Sequence, residues 1–277
     1  MKKAIIIPNA KKDIKLSVTC AVIEKLSSLG IAAYISKDYE NKVSGALFYE
    51  EIPDADFIIV VGGDGSVIDA SCIAISLEVP LLCVNLGKVG YLSAVEPDKL
   101  ELFNKLSSGE YTVENKMLLE VVGERNGRYA VNDIVLSHES YLGIADIGLE
   151  DSAGNSIKYR ADGVILSTPQ GSTAYSFSAG GPVVAHNVCG IIATPICAHS
   201  FFNRSVIFSA EDEIRLVNIS GDDLNCSIDG RYYKTLKTGE YITVKKAEKM
   251  LKMISFSENS MFSNLFGKMK MLEETVR

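Results

Sequence analysis

Hydrophobic residues in the first hundred positions alternate between runs that fit strands and runs that fit helices. Ala4 to Ile7 and Phe57 to Val61 are continuous apolar stretches, and the second has the β-branched character of a strand buried on both faces. Residues 14–29 carry apolar side chains at helical spacing, and Gly30 follows as a stop signal. Further strands are predicted at residues 31–35 and 79–85, and further helices from Ser66 onward and over residues 98–107. This alternation predicts an α/β domain with a Rossmann-like parallel sheet over residues 1–109.

The pattern changes near Gly109 to short alternating runs separated by turn signals, which predicts a mainly β domain over residues 110–256. The runs cover residues 117–123, 128–137, 144–151, 155–160, 163–168, 191–194, 205–209, 213–218, 223–228, 240–245 and 250–256. Residues 257–277 are rich in Met, Phe and Lys. We expect this tail to pack on the first domain or on a neighbouring subunit.

The composition limits the kinds of molecule that the protein is expected to bind. Apolar residues make up 47% of the 277 residues and charged residues 23%, which fits a folded protein and argues against disorder. The formal net charge of -7 disfavours non-specific binding to nucleic acid or to anionic membranes. A phosphorylated substrate must therefore be attracted locally, by backbone N–H groups, a few basic side chains or a metal ion.

Cysteine and histidine patterns favour a cytoplasmic protein without a permanent metal. The six cysteines form no C-x-x-C pair, and we expect them to be reduced. The three histidines are scattered, so a permanent transition-metal site is not expected. The apolar run before Pro8 is too short for a signal-peptide core, and no stretch approaches the roughly 20 residues of a membrane helix.

The loop Gly62-Gly63-Asp64-Gly65-Ser66 joins a predicted buried strand to a predicted helix. In an open α/β sheet, ligands bind at the carboxyl ends of the strands. Glycines let the backbone approach a phosphate, and the helix N-terminus supplies free N–H groups and partial positive charge. The loop is neither a Walker A motif nor G-x-G-x-x-G.

A carboxylate in the middle of such a loop needs an explanation, because it repels phosphate. Asp64 is the candidate general base, which would accept a proton from a nucleophilic hydroxyl; holding Mg²⁺ is another role open to it. The alternative is that Asp64 only caps a helix beginning at Ser66.

The segment from Arg160 to Pro182 is rich in small residues. A predicted strand over 163–167 runs into the turn Pro169-Gln170-Gly171, and a helix is predicted from Ser172 or Thr173. Small hydroxyl side chains at a helix N-terminus suit a phosphate or ribose, and Tyr175 can stack on a base. A polar turn without any ligand is the alternative.

Five ordered blocks resemble the NAD kinase family. Gly62 to Ser66 is similar to its GGDGT loop, and the segment from Asp162 to Tyr175 is similar to its long DG…STPTGSTAY motif, continued by Gly180-Gly181-Pro182. The other blocks are Asn85 to Leu92, Asn132-Asp133 and Thr194 to Ser200. A GGDG loop alone also occurs in lipid kinases and phosphofructokinases, whereas the STP-x-GSTAY block is specific.

The resemblance implies phosphoryl transfer from ATP, or from polyphosphate, to the 2′-hydroxyl of the adenosine ribose of NAD, which gives NADP. It implies Asp64 as the catalytic base, Mg²⁺ arriving with ATP, and a homodimer or homotetramer. The implied phosphate loop comprises Gly62, Gly63, Gly65 and Ser66. The implied NAD contacts are Asp64, Gly65, Asn132, Asp133, Arg160, Asp162, Thr173, Ala174, Tyr175, Ser176, Phe177 and Ser178, with Asn85, His199 and Asp229 as weaker candidates.

The sequence departs from the family pattern at several positions. Ser66 replaces Thr in the loop, Gln170 replaces Thr in the STP turn, and Ala198 replaces Pro. The arginine that often follows GGDGT is missing, and Asp69 lies in that stretch instead. Two alternative functions stay open at this point: a lipid or sugar kinase that shares the GGDG loop, and a non-catalytic NADP-binding sensor.

Overall fold

The computed structural model describes residues 1–87, 94–123, 128–138 and 143–256, and divides them into two compact units. The first unit comprises Met1–Asn115 together with residues 251–256, and the second comprises Lys116–Met250. The family-like residues 88–92 and the tail 257–277 lie outside the described residues. Among the described residues, no helix has the length and apolar character needed to cross a membrane.

The first unit is built on a mostly parallel eight-stranded sheet. Its strands are β1 (Lys3–Pro8), β2 (Ala32–Ser36), β3 (Leu47–Tyr49), β4 (Phe57–Gly62), β5 (Leu81–Asn85), β6 (Ala94–Val95), β7 (Thr112–Lys116) and β20 (Leu251–Ser255). Its helices are α1 (Ser17–Ser28), α2 (Asp64–Leu77) and α3 (Asn104–Ser108), with 3-10 turns at Lys37–Tyr39 and Pro97–Phe103. The strand order is β3-β2-β1-β4-β5-β20-β7, and β6 pairs with β5. Strands β4 and β5 are buried along their whole length, so the sheet centre forms the core.

Several differences from the sequence-based expectations concern this unit. Helix α1 begins at Ser17 rather than near residue 14, because Leu16 has a left-handed backbone (φ 54°) and Ile14 is 82% exposed. Residues 251–255 form β20, which pairs in parallel with β5, although the pattern groups them with the β-rich region. Strand β6 has two residues, which is too short to leave a pattern.

The second unit contains two six-stranded antiparallel sheets. Its strands are β8 (Leu119–Val121), β9 (Arg128–Ala130), β10 (Asp133–His138), β11 (Ala145–Glu150), β12 (Ser156–Ala161), β13 (Gly163–Ser167), β14 (Gly190–Ile196), β15 (Val206–Ser209), β16 (Ile214–Asn218), β17 (Leu224–Ile228), β18 (Arg231–Leu236) and β19 (Tyr241–Lys246). One sheet has the order β15-β14-β13-β10-β17-β18 and the other β12-β11-β16-β19-β8-β9. Alternating inward side chains from both sheets form one apolar core.

Strand β18 is absent from the sequence-based expectations because its residues, RYYKTL, are mostly polar and exposed. It pairs with β17 through the two-residue turn Asp229-Gly230. Both residues have positive φ, 48° and 74°, as a type I′ hairpin turn requires. The expected helix after residue 172 is a 3-10 turn, Gly171–Thr173, followed by the one-turn helix α4 (Tyr175–Ser178).

The predicted fold class is confirmed: an α/β unit with a Rossmann-like sheet is combined with a mainly β unit. The parallel sheet matters for function because its strands end at one edge, where the GGDG loop lies.

Candidate active site

The carboxyl ends of four parallel strands bring together the first group of candidate residues. Strands β1, β4, β5 and β6 are all parallel neighbours, so the residues that follow them lie at the same edge of the sheet. Asn9 follows β1, Gly63 and Asp64 follow β4, and Glu96 follows β6. Asn85 is the last residue of β5.

Two glycines let the loop turn tightly into α2. A Cβ at Gly62 would lie 2.4 Å from Ser66 Oγ, so no larger residue fits there without moving the helix. Gly63 is the N-cap residue, and the helix begins at Asp64. The alternative in which Asp64 caps a helix starting at Ser66 is therefore wrong.

The charged side chains of Asp64, Glu96 and Lys12 lie near one another. The three charges act on the buried thiol of Cys83 in the middle of β5. Burial, assisted by the carboxylates of Asp64 and Glu96 and opposed by the ammonium of Lys12, raises the pKa of this thiol to about 12. Asp64 itself is half-buried in the first turn of α2.

A turn after β1 holds Lys12 beside the loop. The Asn9 side-chain oxygen accepts hydrogen bonds from the backbone N–H groups of Lys11 (3.1 Å) and Lys12 (3.2 Å). The Asn9 amide nitrogen donates to Ser66 Oγ at 2.7 Å, which connects this turn to the first turn of α2. A Cβ at Gly63 would lie 2.8 Å from Lys12 Nζ, so the ammonium group lies beside the loop.

Asn85, a weaker candidate for contacting ligand, is occupied by protein contacts. It is 4% exposed, its oxygen accepts from the Gly87 N–H (2.9 Å), and its nitrogen donates to the Gly87 carbonyl (3.0 Å) and to Glu96 (3.3 Å). These bonds shape the chain that leaves β5.

The second group of candidates surrounds Asn132 and Asp133 in the second unit. The carboxylate of Asp229 accepts three consecutive backbone N–H groups: Val131 to Oδ2 (2.8 Å), and Asn132 (2.8 Å) and Asp133 (3.1 Å) to Oδ1. The Asp229 N–H donates in turn to the Asp133 carbonyl at 2.9 Å. Asp229, a weaker ligand candidate, therefore fixes the backbone of this segment.

Thr168 and Gly171 of the STP block contact the same backbone segment. Thr168 donates its N–H to the Asn132 carbonyl (2.9 Å) and its hydroxyl to the Val131 carbonyl (2.7 Å). A Cβ at Gly171 would lie 2.1 Å from the Asn132 carbonyl oxygen, so only glycine fits. We call the contacts of Asp229, Thr168 and Gly171 with residues 131–133 the clamp.

Burial changes the protonation of the two acids in the clamp. Asp133 is 5% exposed, and burial, assisted by the charge of Asp229, raises its pKa to about 7. Burial also raises the pKa of Asp229, although the three N–H groups oppose the shift. Asp133 is thus an acid that titrates near neutral pH.

Two serines of the STP block point into the protein. Ser172 is fully buried, and its hydroxyl donates to the Pro169 carbonyl (2.7 Å) and accepts from the Val184 N–H (3.0 Å). Ser176 is fully buried and shares a hydrogen bond with Thr194 at 2.9 Å. Because α4 has a single turn, its dipole contributes little to anion binding.

The remaining predicted contacts of this block face outward to different degrees. Tyr175 is 46% exposed and Phe177 is 50% exposed, which is unusual for large aromatic side chains. Ser178 is exposed, whereas Thr173 and Ala174 are half-buried. These five residues offer a surface with two aromatic faces and small polar groups.

Arg160, Asp162 and His199 come together where β12 passes into β13. The His199 N–H donates to the Arg160 carbonyl at 2.7 Å, and His199 Nε2 lies 3.8 Å from Asp162 Oδ1. Both side chains of the pair are about half exposed, 52% for His199 and 41% for Asp162. The pair is therefore open to a ligand.

Sequence reasoning missed Asn9, Lys12 and Glu96 in the first unit. Asn9 and Lys12 had a usable signal, because they lie within four residues of the end of β1, a predicted parallel strand, and so share its carboxyl edge. Glu96 had none, since the strand before it has two residues.

Family models match both parts of the chain. The ATP-NAD kinase N-terminal domain matches residues 11–111, and the ATP-NAD kinase C-terminal domain matches residues 131–256. Curated proteins named NAD kinase are similar over nearly the whole chain. Those of Thermoanaerobacter pseudethanolicus and Caldanaerobacter subterraneus are each 35% identical, over 97% of this chain and 99% of theirs. That of Lachnoclostridium phytofermentans is 31% identical, over 95% of this chain and 96% of its own.

Two solved structures are similar in fold. An NAD kinase from Archaeoglobus fulgidus in complex with ATP has a TM-score of 0.75 and 26% identity, over 97% of this chain and 98% of its own. A yeast NADH kinase complexed with NADH has a TM-score of 0.83 and 23% identity, over 96% of this chain and 86% of its own.

Proposed function

The chain belongs to the NAD kinase family, and on that premise we propose that it transfers the γ-phosphoryl group of ATP to the 2′-hydroxyl of the adenosine ribose of NAD. The products are NADP and ADP. ATP enters as its Mg²⁺ complex, so the metal is part of the substrate. The observation that carries the proposal is Asp64, a half-buried acidic residue in the first turn of α2, flanked by Gly63 and Gly65.

Asp64 is the general base in this proposal. Its carboxylate accepts the 2′-hydroxyl proton while the ribose oxygen bonds to the γ-phosphorus and the bond from that phosphorus to the β–γ bridging oxygen breaks. The loop of Gly62, Gly63, Gly65 and Ser66 presents backbone N–H groups at the start of α2, and these stabilise charge on the phosphoryl oxygens.

NAD is held by the second group of residues. Asn132 and Asp133 bind the adenosine half, supported by the rigidity that the clamp gives to their backbone. Tyr175 and Phe177 offer aromatic faces, with Thr173, Ala174 and Ser178 beside them. Arg160 and Asp162 contribute polar contacts from the β12–β13 corner. Ser176 acts from the interior, by fixing the short helix through Thr194.

The ligands of two similar proteins support the choice of substrates. The yeast protein was solved with NADH and the Archaeoglobus fulgidus protein with ATP. ATP is the proposed donor, and inorganic polyphosphate is the second donor to be tested. We further propose a cytoplasmic homodimer or homotetramer, supported by six free cysteines and by the exposed Phe201, Phe202 and Ile207 of the second unit.

The proposal is tested by measuring NADP synthesis directly. The purified chain is incubated with NAD, Mg²⁺ and either ATP or polyphosphate, and NADP is measured with an NADP-specific dehydrogenase. NADP formation that depends on the donor is expected. A parallel reaction offers diacylglycerol in place of NAD. Binding of NADP without any synthesis would overturn the proposal in favour of a sensor, and phosphorylation of the lipid alone would overturn it in favour of a lipid kinase.

A further inference from the structure

The phosphate loop faces an excess of negative charge. Helix α2 contains Asp64 and Asp69 and no Lys or Arg, and Glu96 is close enough to act on the same buried thiol as Asp64. The chain as a whole is also acidic, with a formal net charge of -7. A triphosphate brought to this edge of the sheet therefore requires a nearby cation beyond the backbone N–H groups.

Lys12 is such a cation within the described residues. Its Nζ lies 2.8 Å from the position that a Cβ at Gly63 would occupy, so the ammonium lies beside the phosphate loop. Its charge also acts on Cys83 together with those of Asp64 and Glu96, which places it in the same electrostatic surrounding. Since Gly63 has no side chain, nothing of that residue separates the ammonium from an anion on the loop.

The position of Lys12 is built by the fold. Its N–H is held by both the backbone carbonyl (3.0 Å) and the side-chain oxygen (3.2 Å) of Asn9. Asn9 also donates to Ser66 Oγ at 2.7 Å and, through its backbone N–H, to the Val61 carbonyl at 2.8 Å. The turn that carries Lys12 is thus joined to both sides of the loop, to β4 and to α2.

We propose that Lys12 binds the phosphate oxygens of the phosphoryl donor and takes over the charge compensation of the arginine that is missing after the loop. This inference rests on the proposed function and adds a residue to it. An ammonium group is a compact charge with three N–H donors, so it can follow the phosphoryl oxygens without fixed geometry. It is a binding residue for the donor and makes no contact with NAD in this assignment.

The test compares Lys12→Met with Lys11→Met in the full-length protein. Lys11 is the matched control, because it is also exposed and its N–H also donates to the Asn9 side chain. Two readouts are measured: the KM values for MgATP and for NAD in NADP synthesis, and the Kd of MgATP by calorimetry without NAD. Lys12→Arg tests rescue by a retained charge.

Lys12→Met is expected to raise both the KM and the Kd for MgATP at least tenfold, about 1.4 kcal/mol, with the KM for NAD within twofold. Lys12→Arg should recover most of the loss, and Lys11→Met should behave as wild type. Equal effects of the two Met variants, or equal changes in the KM for ATP and for NAD, would overturn the assignment.

Failure of the proposed function can be distinguished from failure of the Lys12 assignment. A wild-type protein that binds MgATP without making NADP contradicts the proposed function, while the calorimetric difference between the two Met variants still decides the role of Lys12. A wild-type protein that binds no MgATP overturns both.

Discussion

The loop of the first unit and the clamp of the second are built by opposite means. The loop of Gly62 to Ser66 is shaped mainly by missing side chains, and Asp64, the proposed base, is half-buried there. In the clamp, Asp229 and Thr168 satisfy six backbone groups of residues 131–133 through short hydrogen bonds. A change of chemistry in the loop should therefore leave the fold intact, whereas a change in the clamp should affect binding and stability together.

Asp64→Asn tests whether the loop carries chemistry alone. The amide cannot accept the hydroxyl proton, so we expect kcat to fall by about 10²- to 10⁴-fold, while the KM for NAD and the melting temperature stay close to wild type. Steady-state kinetics and thermal unfolding measure these quantities. Asp69→Asn, on the exposed side of the same helix, is the control. Near-normal turnover of Asp64→Asn would reject the assignment of the base.

Gly171→Ala tests the tightness of the clamp. Its Cβ would meet the Asn132 carbonyl oxygen at 2.1 Å, so the backbone must move. We expect a loss of about 3 kcal/mol in the free energy of unfolding, together with weaker NAD binding. Urea unfolding measures the first and calorimetry the second. Gly221→Ala, where no atom lies within 4 Å of the added Cβ, should change stability little. Equal stability of the two variants would show that residues 131–133 are not held rigidly.

Asp133→Asn separates stability from function inside the clamp. The pKa of Asp133 is raised to about 7 from an ordinary value of 3.8, so the folded state keeps its proton at a pH where the unfolded state has lost it. The free energy of unfolding therefore falls as the pH rises from about 4 to about 7. Asparagine removes this dependence, and the variant should be more stable than wild type by about 4 kcal/mol at pH 8 and nearly equally stable near pH 4.

Urea unfolding of both proteins across this pH range measures the difference, and NAD binding should weaken in the variant. A stability gap that does not change with pH would contradict the buried, proton-binding state of Asp133.

Asp229→Asn is the mildest change to the clamp. Asparagine tolerates the left-handed backbone at this position and keeps one acceptor oxygen, but its amide nitrogen cannot accept a backbone N–H. We expect the KM for NAD to rise about tenfold with a smaller change in kcat. Asp223→Asn, an exposed carboxylate near the start of the same hairpin, is the control. A fall in kcat without a change in KM would place Asp229 in the chemistry instead.

The pH profile distinguishes positioning by Asp229 from simple loss of structure. The charge of Asp229 is one of the two causes that raise the pKa of Asp133, so its removal should move the titration of Asp133 to lower pH. The pH dependence of NAD binding should shift in the same direction. An unchanged profile would show that the two acids do not interact.

Short-range patterns in the sequence determined the α/β and mainly β units, the GGDG loop and the STP block, because hydrophobic period, glycines and turn residues act over a few neighbouring positions. Asp64 could be singled out in this way. An acidic residue among glycines after a buried strand is unusual, and the sequence alone shows it.

The tertiary structure decided what surrounds those motifs. Asn9 and Lys12 reach the loop only because β1 and β4 are parallel neighbours. Asp229 is 98 positions from Val131 in the sequence, and it reaches residues 131–133 only because β17 pairs with β10. The pKa of Asp133 depends on burial by the surrounding chain, and no local pattern records it. Hydrogen bonds and charges between distant segments depend on strand order, which is a property of the whole fold.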